Sequence, residues 1–510
     1  MGVITAAQIA GKALSAPNYF SRTMLHMPLR RYQIEAAQAI VDDVRHRKGS
    51  SIVVMMSRQA GKNELSAHIE AYLLTIYRNI GGEMVKASPT FKPQTERSMI
   101  RLEERLSQSP WLSHIWLKRL GYIYAINRAS IAFLSADPSA SIVGGTASLL
   151  LEVDEAQDVN KQKYYKDLAP MRASMNATAV FWGTSWTSRT LLFEQMQEAK
   201  HRKTLYKYPW DLIAEENPHY GQFVQNEIAR LGENHPIIRT QYKLQEIDAE
   251  GKFLNPARLA LLRSTHARQR EPVSNHLYAL LIDVAGEDEG ASDRIVAQRE
   301  DLANKRRDAT TVTVIEVIIP NPGAGYTNNA LKQPIYLVRD RRAWYGVKHS
   351  VLHQQICALI EHWRARYVVV DATGVGAGLY SFLSKSYPDR VIGFEFSSVT
   401  KSNLGWSLIA LIETGRLKDY ADDHETETRQ FWYEAQECEY QVSDGPGQVV
   451  KWGVWEAPAY DGVIARGHDD FIVGLALTAV LEEQTWSIPH ESTIIPYADP
   501  LTKADREKVY

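Results

Sequence analysis

A chain of 510 residues is longer than one hydrophobic core usually serves, so two or three domains are expected. With 45% hydrophobic and 23% charged residues and a formal charge of −2, it excludes a protein that coats nucleic acid through a strong overall positive field. Only Cys357 and Cys438 are present, which excludes a disulfide framework or a cysteine zinc site, and no apolar run reaches the roughly 18 residues of a membrane helix.

Met1 to Thr5 carry neither the basic nor the apolar region of a secretory signal, so a reducing, cytoplasmic setting is expected. Residues 1–28 read as an arm or short helix broken at Ser15-Ala16-Pro17-Asn18. Leu29 to Val41 has helical periodicity and carries Tyr32 and Gln33, an aromatic-amide pair whose Gln either reads an adenine edge or faces solvent. The apolar run Ser51 to Met56 then breaks into Ser57-Arg58-Gln59-Ala60-Gly61-Lys62-Asn63 before a helix from Glu64. Such a strand-turn-helix wraps backbone N–H groups and a Lys around nucleotide phosphates. The loop departs from G-x-x-x-x-G-K-[ST] at Met56 and Asn63, so alone it also reads as a plain junction.

A strand over 82–90, a helix over 91–106 and paired strands over 122–126 and 130–135 follow, then a small polar loop over 137–145. Ala147 to Asp158 is an apolar strand ending in Asp154-Glu155. That pair is either an acidic helix cap or the second half of an ATPase site, Asp154 holding Mg²⁺ and Glu155 polarising the attacking water. Glu152 inside this strand requires a partner. The next strand, 177–182, ends in Gly183-Thr184-Ser185, a polar tip suited to sensing a γ-phosphate. Strands spaced by helices imply a mostly parallel sheet with its ligand at the carboxyl ends, and the three pieces in this order point to one nucleotide site.

Helices over 191–200 and 218–232 lead to a boundary at Gly251 to Pro256. The second half restarts with the strand Leu277 to Gly286, which carries Asp283 near its middle, where an unpaired carboxylate is costly and a metal explains it best. Glu287 to Asn304 is a charged loop, followed by strands over 308–317 and 334–340 and a helix over 351–364. The strand Tyr367 to Asp371 ends in a glycine turn without dinucleotide spacing, and a further strand spans 391–396. Helices over 404–417 and 426–439 precede a helix opening on Asp469-Asp470, which is also what a plain N-cap shows. Asp283, Asp371 and Asp469/Asp470 suit two Mg²⁺ or Mn²⁺ ions for phosphodiester cleavage. Arg263 to Arg270, Lys305-Arg306-Arg307 and the group Arg339, Arg341, Arg342 are candidate DNA-facing patches or ordinary solvated surface.

With both halves read, the chain resembles the large terminase subunit of tailed bacteriophages over about residues 25–485. Tyr32-Gln33, the deviant loop Ser57 to Asn63, Leu150 to Glu155, Gly183-Thr184-Ser185 and the nuclease carboxylates Asp283, Asp371 and Asp469/Asp470 carry the resemblance. It implies an α/β protein: an N-terminal RecA-like, additional-strand P-loop ATPase domain (1–255, with an arm over 1–28), a linker (256–275), an RNase H-like mixed-sheet nuclease domain (276–485) and a tail (486–510). The implied cofactors are ATP with Mg²⁺ and two further Mg²⁺ or Mn²⁺. The implied partners are double-stranded DNA, the portal protein of the prohead, the small terminase subunit and further copies in a ring during packaging, with no membrane and a monomer as the other solution state. The setting would be the cytoplasm of the infected host, outside the mature virion. On this reading Arg58 and Lys62 contact phosphates, Glu155 is catalytic, and Gln59, Ala60, Gly61 and Thr184 line the nucleotide site. Asn63 stands where a metal-binding hydroxyl is usual. The loop over 141–145 offers no trans-acting arginine, leaving Arg128 as a stand-in, and Asp308 is a possible accessory metal ligand. A helicase-like or repair ATPase with a DNA-binding RNase H-like domain is the competing reading.

Overall fold

The computed structural model describes residues 11–140, 145–285, 309–320, 333–443, 449–455 and 468–486. The first half begins with helices α1 (Pro17–Thr23) and α2 (Arg31–Arg45), strand β1 (Ser51–Met56) and helix α3 (Lys62–Tyr77). Strand β2 (Gly82–Ser88), helix α4 (Glu96–Gln108) and strands β3 (Trp116–Arg119), β4 (Ile123–Ile126), β5 (Ala129–Ser135), β6 (Leu150–Val153) and β7 (Thr178–Gly183) follow. Helix α5 (Leu191–Arg202), strand β8 (Leu205–Tyr208) and helices α6 (Trp210–Glu216) and α7 (Pro218–Leu231) complete it.

These strands form one eight-stranded sheet in the order β3-β4-β5-β2-β6-β7-β1-β8, parallel from β5 to β8, with β3 and β4 an antiparallel edge. Strand β1 is buried at all six positions, as a strand covered by helices on both faces must be. Strand β7 lies between β1 and β6, so the strand leading into the Lys62 loop and the strand ending at Asp154 are separated by an additional strand. This is the RecA-like, additional-strand arrangement. Of the arm or short helix expected over residues 1–28, the described part holds the short helix α1 and packs on the core: Ala13, Phe20, Met24 and Leu25 are buried, and Phe20 meets the Tyr72 ring edge-on at 5.2 Å.

The second half has strand β9 (Glu250–Lys252), helix α8 (Pro256–Leu262), strands β10 (Leu277–Asp283), β11 (Ala309–Ile318) and β12 (Ile335–Tyr345), and helix α9 (His349–Trp363). Then come β13 (Tyr367–Asp371), α10 (Gly376–Ser386), β14 (Val391–Phe394), α11 (Ser398–Glu413) and β15 (Leu417–Lys418). Helix α12 (Thr426–Glu437), strands β16 (Glu439–Val442) and β17 (Val450–Gly453) and helix α13 (Asp470–Ala476) close the described chain. The larger sheet has the order β14-β13-β10-β11-β12-β15, with β10-β11-β12 antiparallel and β13 and β14 parallel to β10. The first three strands as a meander, with the fourth and fifth added beside the first, make the RNase H-like mixed sheet. No helix among the described residues is long and apolar enough to cross a membrane.

Three sequence expectations need correction here. Asp283 is the last residue of β10 rather than a mid-strand residue, because the ladder to β13 stops at Ile282 and Val370. The chain around the expected boundary at Gly251 to Pro256 is packed into the second half: β9 pairs with β16 in a three-stranded sheet, and Phe253, Leu254 and Leu262 lie in the second core with Trp186 and Ile247. Residues 256–275 are likewise packed, with Arg258 bound to Glu413 and Arg268 to Asp340. The basic clusters are partly consumed inside the fold: Arg341 is buried on Asp419 at 2.9 Å and over the Phe431 ring, and Arg339 is bound to Glu316, whereas Arg263 and Arg270 are exposed. Lys305 to Arg307, Asp308, the loop over 287–304 and the tail from 487 lie outside the described residues.

Candidate functional site

In the first domain the Lys62 loop joins β1 to α3 with two residues in the left-handed region, Gln59 at φ 63° and Gly61 at φ 88°. Gln59 adopts this conformation without glycine's freedom, so its neighbours must hold it there. Tyr32 Oη donates to Ala60 O at 2.8 Å and Gln33 Nε2 to Gly61 O at 3.2 Å, while Gln33 Oε1 accepts from the Arg30 amide. Tyr220 Oη bonds both Ser57 Oγ and Arg58 O, and the Arg58 amide donates to Gln241 O at 2.8 Å. The polar groups of Tyr32 and Gln33 brace the phosphate loop in this structure.

A cavity of about 750 Å³ opens over this loop. Arg58, Gln59, Ala60, Gly61, Lys62 and Asn63 line it, with Glu155 and Thr184 from the tips of β6 and β7. Lys62 Nζ is ion-paired with Glu155 and lies 3.5 Å from Asp154. Burial works against its charge, but the two carboxylates outweigh that and raise its pKa. Asp154 shows the converse, burial being overcome by Lys62 and Lys86 so that it stays ionised. Glu155 sits at φ 46°, a strained conformation for a non-glycine residue and of the kind found at functional sites.

Sequence reading missed Gln157. Its Nε2 donates to Glu155 at 2.7 Å and its Oε1 accepts from the Thr184 amide at 3.3 Å, linking the Asp-Glu strand to the β7 tip. A Cβ at Gly183 would collide with that Gln157 oxygen, so the glycine is what lets Gln157 in. No spacing rule marks such a residue; only the side-by-side placement of β6 and β7 does. Glu152, expected to need a partner, has two: it accepts from Ser66 at 2.7 Å and from the Trp182 indole at 2.8 Å. Burial, then neighbouring Glu70, raise its pKa to about 8 inside a polar core cluster with Lys86. The Arg128 side chain reaches the Asn79 carbonyl at 3.5 Å and does not line the cavity.

In the second domain Asp283 and Asp371 end the neighbouring parallel strands β10 and β13, side by side. Helix α13 packs across β10 and β11 because Gly474 allows it: a Cβ there would stand 3.1 Å from Thr311 Oγ1 and 3.7 Å from Asp283 Cβ. Asp470 Oδ2 accepts from the Ala309 amide at 2.8 Å, and Glu434 accepts from the amides of Phe471 and Ile472, fixing the helix start. Asp469 turns the other way, to Lys401 Nζ at 3.3 Å. Burial raises the Asp283 pKa well above the usual carboxylate range, with Asp470, Asp371 and Asp469 adding in that order and Lys401 opposing. Of the helix-start pair, Asp470 is thus the one that bears on Asp283 most.

All three expected carboxylate positions meet at one end of the sheet. Among the described residues, no three His, Cys, Asp or Glu side chains stand close enough to share one ion. The donor chemistry still fits a hard divalent cation: oxygen ligands only, gathered where their mutual repulsion calls for positive charge. In the first domain the fit rests on Asn63, whose buried Oδ1 has no hydrogen-bond partner among the described residues and which lines the cavity with Lys62.

Fold and sites together define a two-domain protein, a P-loop ATPase-type domain followed by an RNase H-like domain. Residues 326–472 match the family model described as the terminase RNaseH-like domain. The chain is also similar to the large terminase of a thermophilic bacteriophage, at 11% identity and TM-score 0.45 over 84% of this chain and 95% of that one. For the bacteriophage HK97 large terminase the values are 12% and 0.37, over 92% and 98%. For the thermophilic phage G20c large terminase nuclease with bound magnesium they are 18% and 0.31, over 45% and 96%. Comparison with curated proteins finds no match.

Proposed function

We propose that this chain hydrolyses ATP in its first domain to move double-stranded viral DNA into a prohead, and cuts that DNA with the carboxylates of its second. The observation that carries the reading is the pair of convergences: Lys62 and Glu155 in one cavity beside the phosphate loop, and Asp283, Asp371 and Asp470 at one sheet end. DNA, the portal protein, the small terminase subunit and further copies of the chain are the partners this reading requires.

In the ATPase cavity Lys62 holds Glu155 by an ion pair. Arrival of a triphosphate gives Lys62 a better partner and releases Glu155 to accept a proton from water, its orientation kept by Gln157. Arg58, exposed at the cavity wall, adds positive charge near the phosphates. Asp154 and Asn63 would hold Mg²⁺ there, and Asp283, Asp371 and Asp470 would hold Mg²⁺ or Mn²⁺ in the second site. Bound divalent cations supply Lewis-acid stabilisation of phosphate oxygens and lower the pKa of water. Glu434 keeps Asp470 aimed, and Thr373, whose amide donates to Asp371 at 2.8 Å, fixes that carboxylate.

The test is a pair of variants in the full chain. Glu155→Gln is expected to lower ATP turnover at least about 100-fold while plasmid cleavage in Mn²⁺ persists, and Asp371→Ala to do the reverse. Cleavage surviving in Asp371→Ala would overturn the assignment of DNA cutting to these carboxylates.

A further inference from the structure

Part of the wall of the nucleotide cavity comes from the other domain. Ser402, Asn403 and Trp406 of helix α11 line the same cavity as Lys62, Glu155 and Thr184. Trp406 is held in place there: its ring meets Trp186 at 6.4 Å and His235 at 6.0 Å, both edge-on, and its carbonyl accepts from His235 Nε2 at 3.0 Å. Asn403, three residues earlier, shares that helix face and is exposed. Beside them Trp186 is 6% exposed, lines the cavity, and has an indole N–H with no partner among the described residues. A buried donor is unfavourable until something accepts from it. Nothing of this is visible in the phosphate-loop motif, since Trp406 lies some 340 residues downstream of Lys62.

We infer that Asn403 and Trp406 are part of the nucleotide site, so that a nucleoside triphosphate binds across the domain boundary, with Trp186 N–H and the Asn403 amide as added hydrogen-bonding groups. This rests on the ATPase reading of the cavity. The cavity of about 750 Å³ extends beyond the phosphate loop, and α11 adds to its lining Asn403, an exposed side chain able to bond ribose or phosphate oxygens. The same helix carries Lys401 to Asp469. Lys401 and Asn403 are two residues apart, about 200° around the helix, so one face serves the nucleotide and the other the carboxylate site.

The experiment uses the full chain and three variants, Asn403→Ala, Trp406→Leu and Lys62→Ala, with ATP turnover and binding of a fluorescent ATP analogue as readouts. Asn403→Ala and Trp406→Leu are expected to raise KM and the analogue Kd about three- to tenfold each, with kcat changed less than KM. Asn403 is exposed, so its variant keeps the wild-type melting temperature and serves if Trp406→Leu folds poorly. Unchanged KM and Kd in Asn403→Ala and in a folded Trp406→Leu, with binding lost in Lys62→Ala, overturns the inference and leaves the site reading intact. Wild-type binding by Lys62→Ala overturns both.

Discussion

His235 is uncharged because of where its two ring nitrogens go. Nε2 donates to the Trp406 carbonyl and Nδ1 accepts from the Ile237 amide, so a second proton has no place. Burial lowers its pKa from the usual 6.5 to about 4. A depressed histidine favours the folded state above its unfolded pKa, and that contribution, roughly 3 kcal/mol here, is lost as pH falls from about 6.5 toward 4. Urea unfolding should show this: His235→Gln is expected to be less stable than wild type at pH 7.5 and to lose less stability between pH 7 and 5. Equal slopes would mean that the imidazole is not held neutral. At this scale the sequence was legible only where chemistry clusters locally. Lys62, Glu155 and Asp371 stand out by their strand-end positions, whereas His235, Gln157 and Asn403 get their roles from chain that arrives from elsewhere.

Helix α11 shows how a small residue sets an element's position. Gly405 faces Trp452, and a Cβ there would collide with the indole nitrogen that donates to Lys401 O at 2.7 Å. Trp452 cannot retreat, since its ring is stacked on Phe253 at 4.9 Å. Gly405→Ala is therefore expected to destabilise the chain by about 1–3 kcal/mol through overpacking. Intrinsic helix propensity alone favours alanine by about 1 kcal/mol, so a rise in melting temperature would refute the close approach. Elements such as the amphipathic helices α7 and α12 and the apolar strand β1 are readable from sequence because their burial pattern is written in their own residues. The edge strand β3 and the short strand β9 are not. Glu250-Gly251-Lys252 has the composition of a turn and becomes a strand only because β16 offers it a ladder.

For the whole molecule, two domains and their order were evident from the two restarts of strand-and-carboxylate pattern, but their border was not. Gly251 to Pro256 looks like punctuation, while its neighbours Trp186, Ile247, Phe253, Leu254 and Leu262 belong to the second core. Burial of a few apolar side chains from outside the pattern moves a border without leaving any mark on local composition. The small sheet β17-β16-β9 then decides what can be cut from this chain and still behave. A fragment starting at residue 270 leaves β16 with a bare edge, a row of unpaired N–H and C=O groups beside apolar surface that Phe253 and Leu262 no longer cover. Such a fragment is expected to self-associate on size exclusion, whereas one starting near residue 244 carries its own β9 and elutes as a single species. Equal elution of both would show that β9 is dispensable. For anyone recombining domains of this chain, the transferable unit thus begins inside what looks like its neighbour, and a chimera joined at the apparent border would inherit a sticky edge in place of a seam.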